Sequence, residues 1–300
     1  MLEATADEVA RALGARRIEV ILLRGPALTE WLYGNAAVRT SIDVDLLVPP
    51  DAFSTAEATM RGLGYACSVD VTPGTELDHA VTWRRSAGAT VDLHWTIVGA
   101  LAPSPHVWQT VRSHSQPRAL SGSEIKVPAG ELRLLLVALH AGQHGRDHAR
   151  TVGDLNRALE LADTHKWAAA AALAERIDAV ELFAAGLRLT PPGSRVAAEL
   201  GLPSRISLGT ALRLATPVPT AGGYRWLESA PGSRARAKLL FFKLFPPAAF
   251  MRDWRPLARR SNFGLALAYL YRPLWLARWA FPGYLAWRRA RRAARDSERT

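Results

Sequence analysis

One cysteine among 300 residues, Cys67, leaves no internal disulfide and no thiolate metal cage to be made. The thiol reads as a small buried apolar residue. An ordinary membrane span is also missing, because the apolar stretch 263–282 is broken by Arg272, Pro273 and Arg278, which are costly in hydrocarbon. The N-terminal stretch carries Glu3, Asp7 and Glu8 and lacks the apolar core and small-residue cleavage site of a secretory signal, so a cytoplasmic protein is expected. Internal repeats are absent, and the one biased stretch is the terminal WRRARRAARDSER, read as a solvated, fraying helix end.

Acidic residues are scarce in the tail alone. Residues 225–300 hold 4 Asp+Glu against 17 Lys+Arg, whereas residues 1–224 hold 23 against 21, so the net charge of +11 belongs to the tail. A tail of that sign is drawn to phosphate-rich surfaces, either nucleic acid or an anionic membrane leaflet, which adds the periphery of the inner membrane to the expected locations. Apolar residues are plentiful, at 49% of the chain, ample for a buried core.

Periodicity divides the chain. Helical spacing over residues 5–16 is followed by the apolar run IEVILL, a strand expected over residues 17–23, and Gly25-Pro26 breaks it. A helix is expected over 27–33, a strand over 41–48 ended by Pro49-Pro50, a helix over 52–63 stopped at Gly64, and strands at 79–84 and 90–96. That order predicts a mixed sheet domain. From 129 to about 189 the pattern is helical almost throughout, and PVPTAGG reads as a linker before the basic, aromatic tail. Three segments result, at residues 1–125, 126–222 and 223–300.

In SIDVDLLV the alternation of a strand puts Asp43 and Asp45 on one face and Ile42, Val44 and Leu46 on the other. Two like charges side by side disfavour each other's ionised form, a conflict that a hard, oxygen-seeking cation such as Mg²⁺ resolves. In TVDLHW, Asp92 and His94 share a face, so a neighbouring strand can supply a third carboxylate. Three such acids on adjacent strands can hold two Mg²⁺ ions for an in-line displacement at phosphorus. Upstream, LLRGPAL runs a strand into Gly25 at a helix start, where free N–H groups attract phosphate. Both signals have plainer readings, a turn-forming Asp-x-Asp pair at a strand end and a simple tight turn.

LLRGPAL, RTSIDVDLLV and VDLHW together resemble the nucleotidyltransferase superfamily typified by DNA polymerase beta, and within it a bacterial group of uncharacterised nucleotidyltransferases. Gly25, Asp43, Asp45 and Asp92 fill the places of that superfamily's glycine turn and three acids. The sequence departs from it at Pro26, where many members carry Gly or Ser and which donates no N–H. Arg24 and the N–H groups of Ala27 and Leu28 can compensate. Arg39, four residues before Asp43, is expected on a nucleotide phosphate, with a structural ion pair as its alternative.

The resemblance implies an α+β fold: a polymerase-beta-like mixed sheet forming the catalytic domain, a helical second domain, and a helical C-terminal extension. It implies transfer of a nucleoside monophosphate from an NTP to an acceptor with loss of pyrophosphate. Asp43, Asp45 and Asp92 would be both catalytic and metal-binding, with Mg²⁺ as the ion and Mn²⁺ as its substitute. Arg24, Gly25, Arg39 and His144 would bind the nucleotide. The acceptor stays open among a small molecule, a peptide, a protein and RNA.

His140, His144 and His148 recur every four residues and would form a polar stripe on one helix. The resemblance extends here through LHAGQH and VGDL. The stripe has three readings: a contact to substrate or triphosphate in a cleft, a zinc site lacking the usual glutamate, and a buried seam in which His144 and Asp154 satisfy each other. The tail likewise suits a membrane surface, single-stranded nucleic acid, or packing on its own domain. The rival functions are a non-catalytic NTP-binding or membrane-surface regulator, a toxin-type transferase acting on tRNA or protein, and a metal-dependent hydrolase. On the transferase reading, Asp45→Asn is expected to abolish transfer and leave the fold intact.

Overall fold

The computed structural model describes residues 2–34, 43–67, 79–85, 90–120, 122–215 and 218–298. Two compact units emerge, one built from residues 1–67 and 79–204, the other containing residues 205–300.

In the first unit, helix α1 (Leu2–Gly14) buries Ala6, Val9, Ala10 and Leu13, the stripe that helical spacing dictates. Strand β1 is confined to Ile21–Leu22, shorter than the residues 17–23 expected. The reason is the exit from α1: Arg17 takes a left-handed φ of 59°, and Ile18 N–H turns back to Leu13 O at 3.0 Å. Helix α2 (Pro26–Tyr33) and strand β2 (Asp43–Leu47) follow. A 3-10 turn at Pro50–Ala52 then leads into helix α3 (Phe53–Gly62). Strands β3 (Ala66–Cys67), β4 (Ala80–Arg84) and β5 (Thr90–His94) come next.

The sequence reading assigned nothing between residues 97 and 128, where the chain forms helix α4 (Ser104–Ser113) and the strands β6 (Ser115–Ala119) and β7 (Glu124–Pro128). The composition of β6, SQPRA, hides it: a polar strand with a central Pro117 is tolerated at a sheet edge, and β6 is an edge. The seven strands run in the order β3-β4-β5-β2-β1-β7-β6. β2 with β5 and β1 with β7 are parallel, and the remaining pairs are antiparallel, so the sheet is mixed.

One core cluster joins Val44, Leu46, Val91 and Leu93 of the sheet to Val9 and Leu13 of α1 and Ala56 and Met60 of α3. Each large aliphatic side chain fully buried there contributes about 1.5–3 kcal/mol. Because strand residues alternate, this commits Asp43, Asp45 and Asp92 to the opposite face.

Beyond the sheet the first unit is helical: α5 (Gly130–His144), α6 (Ala149–Leu161), α7 (Thr164–Arg176), α8 (Val180–Leu187) and α9 (Pro191–Glu199). Apolar residues surround α5, which buries Leu132, Leu134, Leu135 and Leu139 together, as a central helix must. Its crossing with α8 depends on glycine. A Cβ on Gly186 would stand 2.0 Å from Ala138 O, and one on Gly142 2.8 Å from Leu182 O.

The second unit comprises α10 (Leu208–Leu214), α11 (Ala221–Ser229), α12 (Gly232–Leu244), α13 (Ala248–Trp254), α14 (Pro256–Arg260) and the 36-residue α15 (Asn262–Ser297). Its core cluster is small: Met251, Ala258 and Ala268, with Phe250, Trp254 and Tyr269 against it. Among the described residues, no helix is long and apolar enough to cross a membrane.

Gly186→Ala is expected to cost about 2–4 kcal/mol in a denaturant titration, because backbone rather than a pliable side chain blocks the added methyl. Gly153→Ala, in α6 with open space around its would-be Cβ, is expected to be neutral or stabilising by up to about 1 kcal/mol.

Candidate active site

The parallel pairing of β2 with β5 sets Asp45 directly beside Asp92 and Asp43 beside Thr90. Three carboxylates therefore share one face of two neighbouring strands. Asp45 is buried, at 3% exposure, and a buried carboxylate needs a counter-charge and hydrogen bonds. Arg24 supplies both: its Nε donates to Oδ2 at 3.0 Å, and its Nη2 donates to Oδ1. His94 Nε2 donates to the same Oδ1 at 3.1 Å, since an ionised carboxylate only accepts. Thr82 on β4, the cross-strand partner of Asp92, donates its hydroxyl to Asp92 Oδ1 at 2.6 Å. Asp43, half-exposed, has no side-chain partner among the described residues.

These surroundings pull the acids apart. Burial alone would raise the Asp45 carboxyl, but the Arg24 guanidinium and the His94 bond outweigh it and hold the group well below the usual carboxylate range. Asp43 is pushed up, first by burial and then by the charge of Asp45. Arg24 keeps its proton more firmly than usual: burial works against the charge, and Asp45, Asp43 and Asp92 together overcome it.

The turn before α2 is as the sequence reading describes it, with Gly25 at φ 110° as N-cap and Pro26 in the first helical position. That φ favours glycine, and the missing N–H of Pro26 leaves those of Ala27 and Leu28 at the helix start. Two bonds from α6 fix the far end of α2. Tyr33 donates its hydroxyl to Asp154 Oδ1 at 2.7 Å, and Arg157 Nε donates to Leu32 O at 2.9 Å. Arg39 lies outside the described residues.

The three histidines come together without sharing a helix. Gly145, at φ 74°, ends α5 at His144, and His148 caps the start of α6 by accepting from Thr151 N–H. The rings still form a column: His140 and His144 meet edge to face at 4.7 Å, and His144 stacks on His148 at 4.6 Å. Burial, then His148 and Arg24, push the His144 imidazole down to about 4, while Asp45 pulls the other way. His144 is thus neutral at pH 7 and within electrostatic range of the Arg24–Asp45 pair. The buried Asp154 accepts a bond from Tyr33, a partner that sequence reasoning missed.

His94 is the other residue missed. It was placed on the face of Asp92, but its bond to Asp45 follows only from the register, which offsets β5 so that His94 pairs with Leu47. Among the described residues, no group of three or more His, Cys, Asp or Glu is close enough to form a ready-made metal cage. The donor chemistry nevertheless fits a hard divalent cation. Asp43 and Asp92 offer carboxylate oxygens, and Asp45 retains lone pairs beyond those that Arg24 and His94 use.

The site is thus a mixed sheet carrying acids on adjacent strands beside a glycine turn. The chain belongs to the family described as uncharacterised nucleotidyltransferase, whose model matches residues 1–191. No curated protein matches the chain. Among solved structures, the solution structure of the antibiotic-resistance factor ANT(2'')-Ia is similar at a TM-score of 0.42 and 16% identity, covering 60% of this chain and 94% of that one. The crystal structure of ANT(2")-Ia with adenylyl-2"-tobramycin gives 0.41 and 16%, covering 58% and 97%. An antigenic nucleotidyltransferase-like protein from Paracoccidioides brasiliensis gives 0.38 and 18%, covering 66% and 92%. Likenesses this distant add nothing to the functional reading.

Two outcomes follow from the electrostatics. Asp45→Asn, expected from sequence to spare the fold, should instead lower stability by about 3 kcal/mol in chemical denaturation, because it strands the Arg24 charge. The His144 proton is held more weakly in the folded chain than in the unfolded one, where the ordinary value is 6.5. Stability should therefore fall as pH drops from 6.5 towards about 4 and level off below, and His144→Gln should flatten that part of a thermal-melt pH profile.

Proposed function

We propose that the chain transfers a nucleoside monophosphate from an NTP to an acceptor hydroxyl or amine, with Asp43, Asp45 and Asp92 as its acids. The observation that carries this reading is the side-by-side register of Asp45 and Asp92 on parallel strands, with Asp43 on the same face and Arg24 among them. The acceptor atom bonds to the α-phosphorus, the bond from that phosphorus to its bridging oxygen breaks, and pyrophosphate leaves.

Asp43 and Asp92, with the free lone pairs of Asp45, would hold divalent ions, Mg²⁺ or in its place Mn²⁺. Such ions, when bound, neutralise phosphate charge and activate the attacking oxygen. The N–H groups of Ala27 and Leu28, after the Gly25 turn, bind phosphate oxygens. Arg24, and Arg39 from the segment outside the described residues, add positive charge to the triphosphate. One of the three acids takes the acceptor's proton. His144, neutral at pH 7, accepts a hydrogen bond from the nucleotide or the acceptor. The acceptor class remains a small molecule, a peptide, a protein or RNA.

A second reading has one observation in its favour. Arg24 already balances Asp45, so the site can persist without a metal ion, as an NTP-binding regulator would need.

Thermal shift with each of the four NTPs, with and without Mg²⁺, distinguishes the two. Transfer predicts metal-dependent stabilisation by at least one NTP, lost in the Asp43→Asn, Asp92→Asn variant, together with a fall of about a hundredfold or more in pyrophosphate release once an acceptor is supplied. Stabilisation that persists without Mg²⁺ and in the variant would replace transfer with regulation, and no shift with any NTP would remove both.

A further inference from the structure

Helix α15 has two unlike faces. The inner one carries Gly264, Ala268, Arg272, Gly283 and Ala290, all buried. The outer one carries Phe263, Leu267, Leu270, Leu274 and Phe281, of which Phe263 is 74%, Leu270 72%, Leu274 68% and Phe281 68% exposed. At about 100° of rotation per residue these five positions fall within a stripe about 60° wide, and at about 1.5 Å of rise it runs for about 27 Å. The same stripe then continues through Arg288 and Arg292, with Arg295 at its margin, all exposed. Single exposed leucines need no explanation, whereas an aligned row of large apolar side chains marks a surface that is covered in use.

We infer that this face of α15 lies on a phospholipid leaflet rich in anionic headgroups, with the apolar row in the acyl boundary and the arginines on the phosphates. Charge complementarity supports this occupant, since residues 225–300 carry 17 Lys+Arg against 4 Asp+Glu. Arg278, exposed beside the row between Leu274 and Phe281, can extend its charged end to the headgroups while its stem stays apolar. Crossing the bilayer is not involved: α15 is not apolar enough to span and would lie along the surface.

The orientation of the tryptophans favours lipid over nucleic acid. Single strands are held by exposed aromatic faces on which bases stack. Here Trp226, Trp254, Trp275, Trp279 and Trp287 are all half-buried. Trp254 packs against Trp275 and Tyr271, and Trp287 against Tyr224 and Tyr284. What the row exposes is three leucines, which have no face for a base, between Phe263 and Phe281, and all five suit a hydrocarbon chain. This inference is independent of the transfer reaction, which belongs to the other unit.

The test is co-sedimentation of the full chain with vesicles of phosphatidylcholine alone or mixed equally with phosphatidylglycerol, at near-physiological salt. The chain is expected to sediment with the mixed vesicles, and Leu270→Ser with Leu274→Ser to weaken that partition by about tenfold or more. Arg288→Glu with Arg292→Glu should weaken it too and make what remains less salt-dependent, while circular dichroism stays unchanged for both variants because all four positions are exposed. Failure to bind the mixed vesicles, or binding indifferent to the leucine pair, overturns the inference. So does capture of a labelled single-stranded RNA oligonucleotide, without vesicle binding, that the same substitutions abolish. A dimer in light scattering that the leucine pair dissolves, again without vesicle binding, assigns the face to a second copy instead.

Discussion

Asp45 has almost no access to water, and the first unit is arranged around the guanidinium that makes this tolerable. A carboxylate buried without a counter-charge would take up a proton; beside Arg24 it stays ionised far into acid. The pairing also locates Arg24, which sits between the end of β1 and the Gly25 turn, so a charge on β2 helps to aim the backbone that leads into α2. Asp43 and Asp92 then meet a positive charge on their own face of the sheet rather than only each other. A divalent cation entering this group would join a site whose resting charge is already partly balanced. Its binding would be governed by how readily Arg24 shares Asp45.

The acids were legible in the sequence because strand alternation is a local rule. Asp43 and Asp45 are two residues apart, so nothing outside SIDVDLLV was needed to put them on one side. The neighbourhood of Asp92 was less local. That β5 lies beside β2, in a register matching Asp45 to Asp92, depends on pairing across some fifty residues, and the resemblance rather than the residues supplied that expectation. His94 and Tyr33 show the limit. Each contacts an acid through a meeting of distant elements, and although alternation put His94 on the face of Asp92, nothing local pointed it at Asp45. The histidine spacing misled differently: four-residue repeats predict one helix, but Gly145 ends α5 between the second and third rings, and only tertiary packing restores the column.

β6 was invisible for a compositional reason, since a strand that uses only one edge of its backbone can carry proline and charge. The length of β1 was overestimated because IEVILL is apolar whether or not each residue is laddered; burial and pairing are separate demands, and here the turn after α1 satisfies the first alone. In the tail, composition alone left lipid, nucleic acid and self-packing level. Separating them required knowing which rings turn inward, and that information resides in α11 to α15 packing on one another.

The brevity of β1 also makes the sheet mechanically uneven. Four strands, including both that carry the acids, lie on one side of it, and β7 with β6 lies on the other, held to β1 through one registered pair, Ile21 with Lys126. β7 leads straight into α5, which ends in His144. Acids and imidazole are thus mounted on opposite sides of a seam with a single registered pair, bridged by the core that Ile125 and Val127 of β7 share with Val44 and Leu46 of β2, so their spacing is set by side-chain packing more than by ladder hydrogen bonds.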